Sequence, residues 1–259
     1  MKPLCKWSGG KSREIKLFKQ LYPQSFSTYI EPFVGGGAVF FDLNFSQNII
    51  SDVHNELINF YQQIKNGKSK ELFNLMSSYK NNEETYYFVR DKFIPKNDVE
   101  KAFIFFYLRK TCFRGMLRYN KNGKFNIPFG RYKTYNYVEL LNPEYEKLLK
   151  NTTILNKSFE SLLNEFNNEN NFVFLDPPYD SIFTDYGYCQ FVKDNHLKLF
   201  EIFSKTKNKC LLIIGETEFV RELYKQYIVR SYEKNYAFKL YDGRIGKEID
   251  NNHLIIKNY

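Results

Sequence analysis

The sequence predicts an α/β fold with a smaller lobe inserted in it, and three observations carry that prediction. A short apolar run, Thr28 to Phe33, leads into Gly35-Gly36-Gly37 and then into AVFFDL, an apolar helix start. Strand, glycine turn and helix in that order are the opening of a βα unit. A second short run, Asn48 to Asp52, follows at the interval a βαβ unit requires and ends in a carboxylate. From Gly67 to Tyr137 this alternation gives way to helical patterns and then a basic, glycine-punctuated run. A chain of 259 residues accommodates one α/β domain of ordinary size plus such an insertion.

In chain order, Lys6-Trp7-Ser8-Gly9-Gly10-Lys11 sets the sole tryptophan beside a basic glycine turn. Either Trp7 packs on a cofactor, with Lys11 reaching toward the cofactor or DNA, or this is an ordinary basic arm with a core tryptophan. Thr28 to Phe33 reads as a buried strand, Asn48 to Asp52 as a second, and ELINFYQQIK as the helix after it. Amphipathic helices are predicted around YYFVRDKF and VEKAFIFFYLRK, followed by CFRGMLRYNKNGKFNIPFGRY. Beyond the polar loop NEFNNENN, Phe172 to Leu175 is a buried strand ending in Asp176-Pro177-Pro178-Tyr179, and Cys210 to Ile214 is another. The tail, RSYEKNYAFKLY and then HLIIKNY, suits a closing antiparallel hairpin.

Composition narrows the function classes. With 43% hydrophobic and 26% charged residues the chain is a folded globular protein. A net charge of +9 favours polyanionic partners through counterion release. The 19% aromatic content suits base stacking and equally suits an AT-rich coding genome. Cys5, Cys112, Cys189 and Cys210 have no paired spacing, and His54, His196 and His253 are scattered, so reduced buried thiols and no metal site are expected. No bilayer-spanning run and no secretory segment is evident, which predicts a cytoplasmic protein.

The motifs have chemical readings. Glycines at a strand-to-helix turn permit positive φ and close approach of a ligand, although a tight turn without a ligand needs them as well. Asp52 at a strand end suits both hydroxyls of a ribose, or alternatively caps the next helix. Asp176-Pro177-Pro178-Tyr179 suits an amine acceptor. The carboxylate of Asp176 and the carbonyl of Pro177 can each take one N–H of an exocyclic amine, which localises its lone pair. The prolines hold both acceptors in place, and Tyr179 offers a face for a flipped base. A strand end with a proline turn and a capping aspartate is the bland alternative.

Together KWSGGK, EPFVGGGAVFFDL, SDVHNELINFYQQIK, RKTCFRGMLRYNKNGKFNIPFGRY and FLDPPY resemble the Dam-type, or D12 class, DNA adenine-N6 methyltransferases, in the family's order over nearly the whole chain. The resemblance implies a Rossmann-like class I S-adenosylmethionine-dependent fold with a mixed seven-stranded sheet. It assigns residues 1–56 and 145–259 to catalysis and 57–144 to a mainly helical target-recognition domain carrying a β-hairpin. It implies cofactor contacts from Trp7, Lys11, Phe33, Gly35, Asp52, Phe159 and Asp176, and catalysis by Asp176, Pro177 and Tyr179. DNA contacts are implied for Arg114, Met116, Arg118, Asn120 and Pro128 within the hairpin Phe113 to Gly130. Arg118 is expected to fork onto a guanine, the alternatives being a phosphate contact or a surface salt bridge, and with Met116 and Pro128 gives GATC as the target. Arg114 replaces the family's frequent Asn, Leu117 its frequent Tyr, and GETEF stands where relatives often show Ser-Asn.

The partner is then double-stranded DNA, with a companion restriction endonuclease acting on the same site. Cytosine N4, RNA and protein glutamine are alternative methyl acceptors; a leading Ser marks the first and a leading Asn the other two, against Asp176 here. A catalytically silent DNA-binding module is the alternative from another class, and it would not need KWSGGK, the glycine turn and Asp-Pro-Pro-Tyr together.

Overall fold

The computed structural model of the chain describes residues 1–179, 191–234 and 252–259. After a single turn α1 (Ile15–Phe18), strand β1 (Thr28–Glu31) ends where Pro32 removes the amide a ladder would need. The expected strand therefore stops short of Phe33. Helix α2 (Ala38–Leu43) starts directly after Gly37, whose left-handed φ of 70° turns the chain. Strand β2 (Asn48–Ser51) is buried throughout and releases Asp52 at its end.

Four helices follow: α3 (Asn55–Lys65), α4 (Ser69–Ser78), α5 (Glu83–Asp91) and α6 (Asp98–Thr111). Asn82 and Asn97 cap α5 and α6 by accepting the amide hydrogen of the third residue of each helix, Thr85 and Glu100. Helix α6 is not amphipathic as expected: Ala102, Phe103, Phe105, Phe106, Tyr107, Leu108 and Arg109 are all buried, because other segments cover it on nearly every side. Helix α7 (Pro143–Lys150) and strand β3 (Thr152–Leu155) return the chain to the sheet, where Ile50 pairs with Ile154. The rest alternates as α8 (Phe159–Glu165), β4 (Asn171–Leu175), α9 (Lys193–Lys205), β5 (Lys209–Gly215) and α10 (Glu218–Tyr224). Strands β6 (Ile228–Glu233) and β7 (Asn252–Lys257) close it as the expected antiparallel pair, the predicted segment 235–241 lying outside the described residues.

The described strands form a mixed seven-stranded sheet in the order β3-β2-β1-β4-β5-β7-β6, parallel except for β7. Period-two alternation divides its side chains between two cores. Tyr29, Ile50, Phe172, Phe174, Leu211 and Ile213 face the side covered by α2 to α7. Ile30, Ile49, Val173, Leu175, Leu212 and Ile214 face α8, α9 and α10. The chain runs outward from β1 to β3 and then crosses to β4 on the other flank of β1. The carboxyl ends of β1 and β4 thus open a crevice at a topological switch point, where such sheets bind ligands.

The segment expected as a hairpin is held by two isolated antiparallel bridges, Cys112 to Phe129 and Tyr119 to Phe125, and not by continuous strands. Cys5, Cys112 and Cys210 are buried and unpaired; Cys189 lies outside the described residues. Among the described residues no helix is long and apolar enough to cross a membrane.

Candidate active site

The glycine turn carries two positive-φ residues, Gly35 at 45° and Gly37 at 70°. What fills the space over Gly35 is the chain's own Trp7: a Cβ there would lie 2.5 Å from the indole Cδ1. The glycines therefore admit the N-terminal arm as well as any ligand, and Tyr61 pins the turn by donating to Gly35 O at 2.8 Å. Asp52 Oδ2 accepts from Gly35 N at 2.9 Å and Oδ1 accepts from His54 N at 3.0 Å. Burial pushes the Asp52 carboxyl up to about 6, against the pull of those amides. Asp52 does not cap the following helix; His54 does, its ring nitrogen accepting from Leu57 N at 3.2 Å.

Across the crevice, Asp176 leaves the end of β4 and meets Lys11. The Lys11 ammonium, only 1% exposed, donates to Asp176 Oδ1 at 2.6 Å, to Tyr179 OH at 2.8 Å and to Gly9 O at 2.8 Å. All three of its N–H donors are thereby taken up, and one side chain orients both ends of the Asp-Pro-Pro-Tyr motif. Burial raises the Asp176 carboxyl above the usual range, with Lys11 opposing. Behind it, Glu31 Oε2 accepts from Tyr29 OH at 2.7 Å and Phe40 N at 3.1 Å. Burial, reinforced by the charge of Asp176, pushes Glu31 up to about 8.

This has a consequence for stability. Folding raises the Glu31 pKa from 4.5 to about 8, so its contribution is fully present below pH 4.5 and is lost as pH rises through 8. The Glu31→Gln variant, which mimics the protonated form, is expected to match the wild type near pH 5 and to be more stable than it at pH 9. Urea unfolding at both pH values checks this; parallel pH dependence of the two proteins contradicts it.

A buried cluster that the sequence reading did not find supports Tyr179. Tyr232 OH donates to Glu14 Oε2 at 2.6 Å, His253 Nδ1 lies 3.0 Å from the same oxygen, and Lys234 Nζ lies 2.9 Å from Oε1. Burial raises Glu14, but His253, Lys11, Lys234 and Tyr232 together outweigh it and bring the carboxyl to about 2. The His253 ring meets Tyr179 edge to face at 5.0 Å, and Lys11 Nζ sits 5.3 Å from the Tyr179 ring centre. Residues from both ends of the chain therefore hold the ring in the motif.

These halves line one cleft of about 1380 Å³, larger than the ~300–1,000 Å³ of a typical small-molecule site. Trp7, Lys11, Phe33, Gly35, Asp52, Phe159 and Asp176 all reach it, as do Pro177 and Tyr179. Phe33 stacks on Phe159 at 5.5 Å, and Phe191, not anticipated from sequence, meets both rings within 6 Å. An apolar aromatic slot beside a carboxylate and a glycine turn fits a nucleoside, with volume left for a second planar group.

Arg114 and Met116 also reach the cleft; Arg118, Asn120 and Pro128 lie beyond it. Arg118 Nε donates to Asn126 Oδ1 at 2.8 Å, while Asn120 Oδ1 accepts from Asn122 N and Lys124 N and so shapes the loop tip. Pro128 O accepts from Phe113 N at 2.8 Å. Buried Arg109, also unforeseen, donates to Met116 O and Lys6 O with its guanidinium 5.3 Å from the Trp7 ring centre, tying this segment to the N-terminal arm.

An open α/β sheet with an aromatic slot, a glycine turn and an Asp-Pro-Pro-Tyr loop lining one switch-point cleft defines an α/β protein built to bind its ligand at the carboxyl ends of its strands. Residues 7–238 match the model of the D12 class N6 adenine-specific DNA methyltransferases. The chain is 56% identical to "Type II methyltransferase M.CviBI" of Paramecium bursaria Chlorella virus NC1A, over 100% of both chains. It is 36% identical to "Type II methyltransferase M.MjaIII" of Methanocaldococcus jannaschii, over 94% of this chain and 89% of the relative. It is 31% identical to a "DNA adenine methylase" of Haemophilus influenzae, over 86% and 82%. The chain belongs to the D12 class N6 adenine-specific DNA methyltransferase family, and it is an enzyme that methylates adenine in DNA.

Proposed function

We propose that the chain methylates the N6 amine of an adenine turned out of double-stranded DNA, using S-adenosylmethionine, at a short site read by the lobe at 57–144. The observation that carries this reading is that the cofactor and catalytic candidates, drawn from five separate segments of the chain, all border one cleft. The cofactor supplies an electrophilic methyl group when bound. Asp52 would take its ribose hydroxyls, and Phe33 and Phe159 its adenine, with Trp7 and Gly35 bounding the same half.

The chain's own groups then make the target amine reactive. Asp176 accepts one N6 hydrogen and Pro177 O the other, so the nitrogen lone pair is withdrawn from the ring. Lys11 engages Asp176 Oδ1, and no described residue takes Oδ2, the oxygen this reading assigns to the amine. Tyr179, braced by Lys11 and His253, stacks on the extruded base and keeps it in plane with both acceptors. After transfer the extra proton on nitrogen leaves to water, so no tuned base is needed. Because burial raises the Asp176 pKa, activity is lost on the acid side at a pH above the usual aspartate range.

Arg114, Met116, Arg118, Asn120 and Pro128 supply DNA contacts in this reading, with Arg118 on a guanine, worth about 1–3 kcal/mol of discrimination. GATC is the first sequence to test, and a companion endonuclease of the same specificity fits the "Type II" names of two relatives. Methyl transfer is measured on duplexes containing GATC and on versions with each base pair changed. Transfer to GATC alone, with a loss of at least about tenfold at the guanine pair in wild type and not in Arg118→Ala, is expected. Equal transfer to all duplexes contradicts the assignment of Arg118.

A further inference from the structure

We propose that His54, Tyr119 and Glu56 form a latch that couples cofactor binding to DNA reading, making His54 and Tyr119 positioning residues for target recognition. The inference rests on the reading that residues 113–130 contact DNA. Asp52, the ribose candidate, is held by His54 N at 3.0 Å. His54 Nδ1 accepts from Leu57 N at 3.2 Å, so the hydrogen of the neutral ring belongs on Nε2. That nitrogen lies 2.9 Å from Tyr119 OH, which donates in turn to Glu56 Oε2 at 2.5 Å. Each role in the series is thereby fixed in one direction, from imidazole N–H to phenol to carboxylate. Burial keeps His54 neutral, its pKa lowered to about 4, so the arrangement persists at neutral pH.

The position of Tyr119 gives the contact its consequence. It stands between Arg118 and Asn120, in a segment that pairs with itself through short-range contacts and forms no continuous strands, one of its two isolated bridges being that of Tyr119 to Phe125. The latch fastens the middle of that segment to the amino end of α3, beside the cofactor carboxylate. The His54 ring also meets Trp7 edge to face at 5.6 Å, a second contact with the cofactor half. Two sites joined by a rigid helix end and a directed hydrogen-bond series share a coupling free energy, which must act in both directions.

Two variants separate this role from a structural one. His54→Asn retains a favoured helix cap and cannot span to Tyr119; Tyr119→Phe keeps the ring and loses only the hydroxyl. The affinity for S-adenosylhomocysteine is measured by calorimetry, alone and with a saturating duplex bearing the mapped site. Wild type is expected to bind it about 5–150-fold more tightly with DNA. Each variant should lower that factor at least about threefold, with nothing added in the double variant, and Tyr119→Phe, which leaves the contact of His54 with Trp7 in place, should keep the DNA-free affinity within about twofold. Undiminished coupling in both variants, or none in wild type, overturns the latch. Arg118→Ala controls for the underlying reading: unchanged duplex affinity there removes the DNA-contact assignment, whereas weakened duplex affinity with intact coupling in the two variants removes the latch alone.

Discussion

Replacing Asp176 by asparagine is expected to lower kcat by on the order of 10²–10⁴-fold while cofactor binding persists. The substitution keeps one acceptor oxygen and nearly the same shape but removes the charge. An amide offers its carbonyl either to Lys11 or to the target amine, and turns N–H groups toward whichever is left, both of them donors. Lys11, 1% exposed, would lose its anion. Breaking a buried pair costs up to about 3–5 kcal/mol; the 20% exposure of Asp176 places this one toward the lower end. Single-turnover assays on protein shown to be folded by its thermal midpoint, with calorimetric titration of S-adenosylmethionine, separate chemistry from folding. Near-normal turnover would remove Asp176 from the amine-accepting role.

Substituting Gly35 by alanine should weaken cofactor affinity at least about tenfold and destabilise the protein by about 1–3 kcal/mol, two effects with one origin. Its φ of 45° is strained for a side chain, and the new Cβ would stand 2.5 Å from Trp7 Cδ1 and 2.6 Å from Nε1. The indole, wedged against His54 and Arg109, must move, and with it the part of the cleft proposed above to hold the cofactor. Gly123→Ala is the matched control, since Gly123 has a φ of 69° and nothing within 4 Å of the added methyl. It should show the backbone strain alone, with cofactor affinity unchanged. Equal affinity losses in both variants would contradict the role given to Trp7.

What the sequence made legible follows from what local chemistry dictates. Pro32, the glycine run and Asp176-Pro177-Pro178 mark strand ends because each residue has a backbone consequence wherever it occurs. Strand β3 carries no such mark. Its four residues follow α7 directly, and exposed Thr153 leaves too short an apolar run to separate from a helix end. Helix α6 departs from the amphipathic expectation because the burial of five consecutive residues, Phe105 to Arg109, depends on what packs around it. The cofactor and catalytic candidates were found through motifs, whereas Glu14, Tyr232 and His253 come together only when β6 and β7 pair beside β5. No spacing in the chain announces that meeting. The role of His54 is hidden likewise: next but one after Asp52, it is one of three scattered histidines, and only the fold brings its ring to cap α3 and to reach Tyr119.

The central claim is tested most directly by incubating the purified protein with S-adenosylmethionine and unmethylated genomic DNA and mapping modified bases by single-molecule sequencing. N6-methyladenine confined to one short motif is expected with the wild type, and none with Asp176→Asn. Methylation of cytosine, or a wild-type protein that binds the cofactor yet leaves adenine unmodified, would contradict it.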